Sequence, residues 1–393
     1  MNKKSILAGG AAAALLLGLI TYTLNDTENR DSADASDVNA RRALGMGPAG
    51  DPSTMQTATR GISYDTLIKD TKLLLQFPRN SFPLHPGAAD LIEFHRVELP
   101  EAPVYDLKAN PARKLPVLCS LRPEKNILPA GSLLKARLSC RTESASKKSL
   151  PVSIKNIRLS RRAPRKNGKD AMVGLPTPKT RALKNNSIEI TYRPARADWG
   201  DLFLSVDYAV KFHNREIEAK AGAQFFSSPV APARFAGVIS DSVEDGSLRM
   251  DVQVQVAMAG RYTIEANLFQ ESGEPVGYTY TETRLKKGTN RVKLVFFGRI
   301  FHKKNADGPY VLRGLRGTQH TNIDPAILNQ SPEKVAAFLR KDHEPRPERR
   351  IIPPHGKDYL TAKYETREFS FKEYDGPDKR ERLRMLKTLA ANQ

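Results

Sequence analysis

Cysteine is scarce in this chain: among 393 residues there are two, Cys119 and Cys140. No histidine neighbours them, and a structural zinc site needs about four ligands, so a cysteine-based metal centre is not expected. Tryptophan occurs once, as Trp199, just ahead of an alternating segment, and reads as a core or corner packing residue rather than a ligand platform. Seven histidines (His85, His95, His213, His302, His320, His343 and His355) are scattered, and none forms H-E-x-x-H or another close ligand pair. A G-x-S-x-G elbow, a Walker A loop and the dinucleotide-binding glycine fingerprint in its strand-to-helix setting are missing. Local catalytic signatures are thereby excluded, and no cofactor or metal is expected. A triad assembled from distant residues stays open, because triads are defined by geometry and not by order. Acid is the minority charge: 43 Asp and Glu stand against 63 Lys and Arg, a net +20. That balance points to an anionic partner, with solvated surface charge as the alternative.

One uncharged apolar run, Ile6 to Leu24, follows Lys3 and Lys4 and stops at Asn25 and Asp26. It is about long enough to cross a ~30 Å hydrocarbon layer as a helix, and in lipid its backbone must bond internally. Lysines before it and Asp26, Glu28 and Asp31 after it predict an inside N-terminus and an exported remainder. The expected location is the bacterial inner membrane, single-pass, with the C-terminal part in the periplasm. The competing reading is a cleaved signal peptide and secretion, for which Thr21-x-Thr23 offers only a weak exit site.

Export gives the two cysteines a compartment in which disulfides persist. The turn-rich stretch Pro123 to Gly131 separates two alternating segments, Val117–Leu121 and Leu133–Thr142. An antiparallel pair centred between Pro129 and Ala130 places Cys119 opposite Cys140, and Leu121 opposite Leu138 on the same face. A structural disulfide is favoured over two free buried thiols.

Residues 1–24 thus form the anchor or signal segment, and 25–60, rich in Asp, Ser, Ala, Thr and Gly, a flexible spacer. Residues 61–114 make a helical and extended lead-in, with helices expected over Ser63–Phe77 and Ala88–Val97 and breaks at Pro78, Pro83 and Pro86. From Leu115 the period becomes two: Leu134, Ala136, Leu138 and Cys140 alternate with Lys135, Arg137 and Ser139. Ile188–Tyr192 and Leu202–Val210 alternate likewise, and His213-Asn214 reads as a turn into Ile217. One apolar face per strand predicts half-buried antiparallel strands, hence a first β-sandwich over 115–228. After the Pro229–Pro232 linker, Met250–Val256, Tyr262–Leu268 and Val292–Phe296 repeat the pattern and predict a second over 233–318. Residues 319–393 form a C-terminal extension. Within it, Ser331 caps a helix running to about Lys341, Tyr359–Phe371 adds an edge strand, and Asp375-Gly376-Pro377 starts a last helix.

The second pattern carries a resemblance. Gly260-Arg261-Tyr262, Gly273-Glu274-Pro275-Val276, Leu285-Lys286-Lys287-Gly288 and Asp307-Gly308-Pro309-Tyr310 follow one another at strand-and-turn spacing. Their order resembles bacterial envelope Ig-like modules, in particular DUF4785-like proteins built from consecutive β-sandwiches. The likeness covers roughly residues 233–318. It implies export and a mainly β fold of two consecutive antiparallel Ig-like β-sandwiches, here joined to an N-terminal transmembrane helix and short accessory helices. It implies no catalytic residue.

The most distinctive local feature is basic. Lys147 to Lys184 holds twelve Lys or Arg against one acid, Asp170, and no aromatic residue. Sequence-tolerant binding of single-stranded nucleic acid relies on aromatic platforms, so that partner loses support. Arg158, Arg161, Arg162, Arg165, Lys166 and Lys169 crowd an exposed turn-rich loop, the expected contact for an anionic envelope polymer or lipid headgroup. A calcium site from Asp241, Glu244, Asp245 and Asp307 lacks the regular spacing of a calcium loop. The expected function is a non-enzymatic, membrane-anchored envelope protein that binds or scaffolds another envelope component. An exported glycan or peptide hydrolase with a dispersed site, or nucleic-acid binding at the envelope, are the alternatives.

Overall fold

The computed structural model describes residues 72–73, 75–96, 99–109, 111–162, 172–321, 327, 330–340 and 347–391. The apolar run Ile6–Leu24, the spacer 25–60 and most of the helix expected over Ser63–Phe77 lie outside them. Among the described residues no helix is long and apolar enough to cross a membrane. The fold is mainly β, and among the described residues it is built from antiparallel sheets with one parallel strand pair.

The described chain opens with β1 (Ser81–Pro83), helix α1 (Ala89–Ile92) and β2 (Ala102–Asp106). The alternating segments then give β3 (Arg113–Pro123), β4 (Ile127–Pro129), β5 (Leu134–Thr142), β6 (Ser149–Leu150), β7 (Val152–Arg162) and β8 (Met172–Gly174). They continue through β9 (Lys179–Ala182), β10 (Ile188–Tyr192), β11 (Gly200–Phe212) and β12 (Arg215–Ser228). Past the proline linker come β13 (Ala233–Glu244), β14 (Ser247–Val256), β15 (Gly260–Gln270), β16 (Pro275–Leu285), β17 (Gly288–Phe296), helix α2 (Arg299–Lys304) and β18 (Tyr310–His320). The tail holds α3 (Pro332–Arg340), β19 (Arg349–Ile352), β20 (Tyr359–Leu360) and α4 (Pro377–Ala391).

In the first module a front sheet runs β2-β3-β5-β10-β9, with β6 on β5, and a back sheet runs β4-β12-β11-β7-β8. Period-two alternation decides the layers: Val117, Leu121, Leu134, Leu138 and Ile190 face Leu159, Leu202, Leu204, Val206 and Phe225 across one core. Each such side chain withdrawn from water contributes about 1.5–3 kcal/mol. The β3–β5 register sets Cys119 opposite Cys140 and Leu121 opposite Leu138, as expected, and the two cysteines are bonded. The connection is no simple hairpin, because β4 crosses to the back sheet and pairs parallel with β12. The β11–β12 turn is one: His213 and Asn214 both take positive φ (46° and 58°), the paired left-handed geometry whose twist suits a two-residue hairpin.

The second module pairs a sheet ordered β1-β16-β15-β18-β19, with β20 on β18, with the three-stranded sheet β13-β14-β17. Met250, Val252, Val254, Tyr262, Ile264, Leu294, Phe296 and Tyr310 fill its core. Both flanking segments are woven into it. β1 from the lead-in pairs with β16, and β19 and β20 from the tail pair with β18. Phe369 stacks on Phe301 at 3.8 Å between ring centroids, and Ser370 N donates to Gly246 O at 2.8 Å. Two elements are shorter than their sequence suggests. The helix expected over Ala88–Val97 is the four-residue α1, whose Ala88 N-cap offers no side-chain acceptor. The strand expected over Tyr359–Phe371 is the two-residue β20 followed by a 3-10 turn, Thr366–Glu368. There Asp307 accepts from Thr366 N and Oγ1 at 2.6 and 2.7 Å, drawing the chain off the sheet edge.

The lead-in also ties the modules together, running from β1 in the second to β2 in the first. Asn267 Nδ2 donates to Leu91 O at 2.8 Å, and Asn126 N donates to His95 O at 2.8 Å. Near the linker, Ile351 N donates to Ser228 Oγ at 2.8 Å, and the Arg349 guanidinium lies 4.3 Å from the Phe226 ring centroid.

Candidate functional site

Alternation that sends Leu121, Leu138 and Ile190 into the first core sends Arg122, Arg137 and Glu189 outward from the front sheet. The register then fixes a row across four strands: Arg122 opposite Arg137, Arg137 opposite Glu189, Glu189 opposite Arg181. The lead-in residues Glu93, His95, Arg96 and Leu99 stand over one end of this row and close a cleft of about 750 Å³, whose remaining walls include Pro123, Glu124, Lys125 and Lys135. A second hollow of about 690 Å³ shares Leu99 and Arg122 and continues past Glu101, Leu118, Arg141 and Lys147.

Carboxylates in these hollows are already engaged. Glu93 pairs with Arg96 at 3.0 Å, Glu124 with Lys135 at 3.5 Å and Glu189 with Arg181 at 2.8 Å. Glu101 accepts from Arg141, at 3.1 Å from Nε and more closely from Nη2, and from Arg122 at 3.3 Å. The Arg141 hydrogen bond, followed by the charges of Arg141 and Arg122, holds the Glu101 carboxyl below its ordinary range. Among the described residues Lys125, Arg137 and Lys147 have no carboxylate within ion-pair reach. His95 is pulled below its ordinary value, first by burial and then by the Lys125 charge, so it is neutral at pH 7. Like charges directly opposite on neighbouring strands destabilise a sheet, and Arg122 against Arg137 is such a pair. An anion between them would relieve that repulsion.

The residues singled out in sequence do not gather in this cleft. Arg158, Arg161 and Arg162 lie on β7 of the back sheet, while Arg165, Lys166 and Lys169 lie outside the described residues. Arg158 is largely exposed and 3.7 Å from Asp207. Arg161 sits opposite Leu202 at the end of the core, 5.8 Å over Trp199, with its Nη1 buried and without a hydrogen-bond partner. Arg162 lies 5.7 Å over Phe203. The aromatics missing from 147–184 are thus supplied by Trp199 and by β11, which the local sequence could not indicate. The cleft had a weaker sequence signal: Lys135 and Arg137 as the outward members of an alternating strand.

Three of the four carboxylates considered for calcium, Asp241, Glu244 and Asp307, are held elsewhere. Asp241 accepts from the Tyr359 and Tyr364 hydroxyls and from Ala362 N, Glu244 pairs with Arg249 at 2.5 Å, and Asp307 holds Thr366. Among the described residues no three His, Cys, Asp or Glu side chains converge as a metal site.

Comparison with known proteins places part of the chain. Residues 232–336 match the family model of the DUF4785 C-terminal domain, a domain of unknown function. The match begins at the linker before β13 and runs into α3. Among solved structures, a DUF4785 family protein of Legionella pneumophila subsp. pneumophila str. Philadelphia 1 is 20% identical, with a TM-score of 0.37. The alignment covers 52% of this chain and 53% of that one, so the chain spans about half the length of this relative. The Yersinia pseudotuberculosis adhesin InvE is 11% identical over 51% of this chain and 54% of its own, with a TM-score of 0.18. CBD12 from CALX1.2 is 8% identical over 59% and 98%, with a TM-score of 0.16. No curated protein matches the chain.

Proposed function

We propose that this chain is a non-enzymatic bacterial envelope protein, held in the inner membrane through Ile6–Leu24, whose periplasmic part binds an anionic envelope component. In this reading the two modules are consecutive Ig-like β-sandwiches, and the first presents the ligand-binding face. The observation that carries it is the front-sheet cleft, where the acids are spent on ion pairs and Lys125, Arg137 and Lys147 remain. A disulfide of the kind that persists in oxidising compartments supports export. The Arg158–Arg162 end of β7, on the back sheet, serves as a second, weaker contact, since Arg161 and Arg162 already lie over aromatic rings.

The test has two arms. Cell fractionation with N-terminal sequencing should recover the protein in the membrane with its N-terminus intact; a soluble form starting near Asn25 would remove the anchor. Cosedimentation with vesicles containing a fifth phosphatidylglycerol should show binding that weakens steeply with salt, as expected for contacts screened over about 8 Å at 0.15 M. Salt-insensitive binding, or none at low salt, would remove the anionic partner.

A further inference from the structure

The geometry of the cleft points further, to the chemical class of its ligand. We infer that the cleft between the lead-in and the front sheet is a receptor site for a phosphate monoester; this rests on the anion-binding reading above and sharpens it.

Charge count is the first argument. The walls carry five cations, Arg96, Arg122, Lys125, Lys135 and Arg137, and three carboxylates. Arg96 and Lys135 are paired within the walls, Arg122 with Glu101 and Glu189 with Arg181 beyond them, which leaves Lys125 and Arg137 as a surplus of two positive charges. A phosphate monoester brings about −1.5 to −2 at neutral pH, whereas one carboxylate brings −1 and a phosphodiester −1. The second argument is geometric. Arg122 and Arg137 are direct cross-strand neighbours, both pointing outward and both exposed. Opposed residues of this kind have Cβ atoms about 4.5–5.5 Å apart, so two planar guanidinium groups flank one position, Arg122 sharing its Nη2 with Glu101. Each fork matches two oxygens of an oxyanion. A monoester has three terminal oxygens to share between two forks and the Lys125 ammonium; a carboxylate has two and satisfies a single fork.

The rest of the lining limits the remainder of the ligand. Among the described residues no Phe, Tyr or Trp lines the cleft, and its one imidazole, His95, is packed edge-on against Phe94 at 5.0 Å between ring centroids, so a broad platform for stacking a nucleobase is lacking. Leu99, Pro123 and Ala136 supply a small apolar wall instead, suited to an aliphatic ester group such as a glycerol carbon chain. The same headgroup chemistry occurs on a membrane lipid, as in phosphatidic acid, and on a soluble ester, as in glycerol 3-phosphate.

The experiment uses the full chain in detergent or nanodiscs. Binding is measured to vesicles of phosphatidylcholine doped with phosphatidic acid (monoester) or phosphatidylglycerol (diester), and by calorimetry to glycerol 3-phosphate, inorganic phosphate and citrate. Phosphatidic acid at equal surface charge should bind at least tenfold tighter than phosphatidylglycerol. The R122S/R137S variant should lose that preference, while K155S/K220S, which removes the same charge from the back sheet, should keep it. Unchanged thermal midpoints show that both variants are folded. Competition by glycerol 3-phosphate at similar affinity identifies a soluble ester as sufficient, and binding to phosphatidic acid vesicles alone identifies the lipid. Equal affinity for monoester and diester, or an undiminished preference in R122S/R137S, overturns the inference. Citrate binding lost in R122S/R137S, without any phosphate binding, would sink the phosphate class and leave the anion reading standing. Binding of no anion at low salt would end both.

Discussion

The two modules treat arginine in opposite ways. In the second, Arg316 is almost enclosed, its side chain 5% exposed. Its Nε lies 3.2 Å from Glu265 Oε1, its Nη2 donates to Oε2 at 3.3 Å, and the guanidinium sits 4.3 Å over Phe94 and 5.7 Å over Tyr278. Glu265 also accepts from the Tyr278 hydroxyl. In the first, Arg137 is exposed, faces another arginine, and has no carboxylate in reach among the described residues. A charge removed from water must be paired or the fold loses stability. A charge left in water is under no such demand, so it remains available to a partner. The second module spends its charged groups on holding the lead-in and tail; the first leaves a surplus on one face and relies on a disulfide for part of its stability.

Breaking the enclosed pair should have the largest effect. Glu265→Ala leaves the Arg316 charge nearly buried and uncompensated, and removing one partner of a buried pair costs about 3–5 kcal/mol. Chemical denaturation should show that loss, and Phe94 and the 91–96 segment should gain hydrogen exchange, because Arg316 anchors them. Next comes the first module's own staple. Cys119 and Cys140 are 21 residues apart, and replacing both by Ala should cost about 3 kcal/mol in the loop-entropy treatment. Peptide mapping without reductant should find the linked pair, and a reductant should shift the denaturation midpoint of the wild type but not of the double variant.

A smaller effect concerns pH and touches both modules. Burial, the largest cause at each, lowers His95 and His320 below the ordinary value of 6.5, with Lys125 and Arg261 as the next contributors. The unfolded chain therefore binds more protons than the folded one as pH falls through 6.5, and stability declines in that window. Their contribution is fully present above 6.5. The carboxylates Glu101, Glu244 and Asp307, also lowered, act only in a separate, more acidic window. Thermal midpoints between pH 7.5 and 5.5 should fall for the wild type and flatten for the H95Q/H320Q variant. Smallest of all should be the stability effect of Arg137→Ser, within about ±0.5 kcal/mol for an exposed side chain. A larger loss would mean that Arg137 is structural and that the contrast with Arg316 is false.

Much of the strand pattern was legible because alternation is a local property. Leu134, Ala136, Leu138 and Cys140 announce β5, and the same parity sets Cys119 against Cys140. Short strands were not legible. β1, β19 and β20 hold three, four and two residues, too few to show a period, and each pairs with a strand distant in sequence. Their place in the second module depends on partners such as Thr279, opposite Ser81. The basic run around Arg158 was conspicuous because its charges are consecutive, yet β7 sends neighbours to opposite faces, with Arg161 level with Leu202 and Arg162 over Phe203.

Composition and local periodicity by themselves determined a basic, strand-rich chain with one cross-strand cysteine pair and no local catalytic motif, because each of these depends on residues close in sequence or on simple counts. Which positive charges remain unspent was decided only by the tertiary structure. Glu101, Glu124 and Glu189 each find a particular arginine or lysine once the sheets are registered. The lead-in then brings Glu93, His95 and Arg96 over Arg122 and Arg137, which come from two strands. Ion pairing falls off within a few ångströms, and those few ångströms are set by register and packing across the fold rather than by order along the chain.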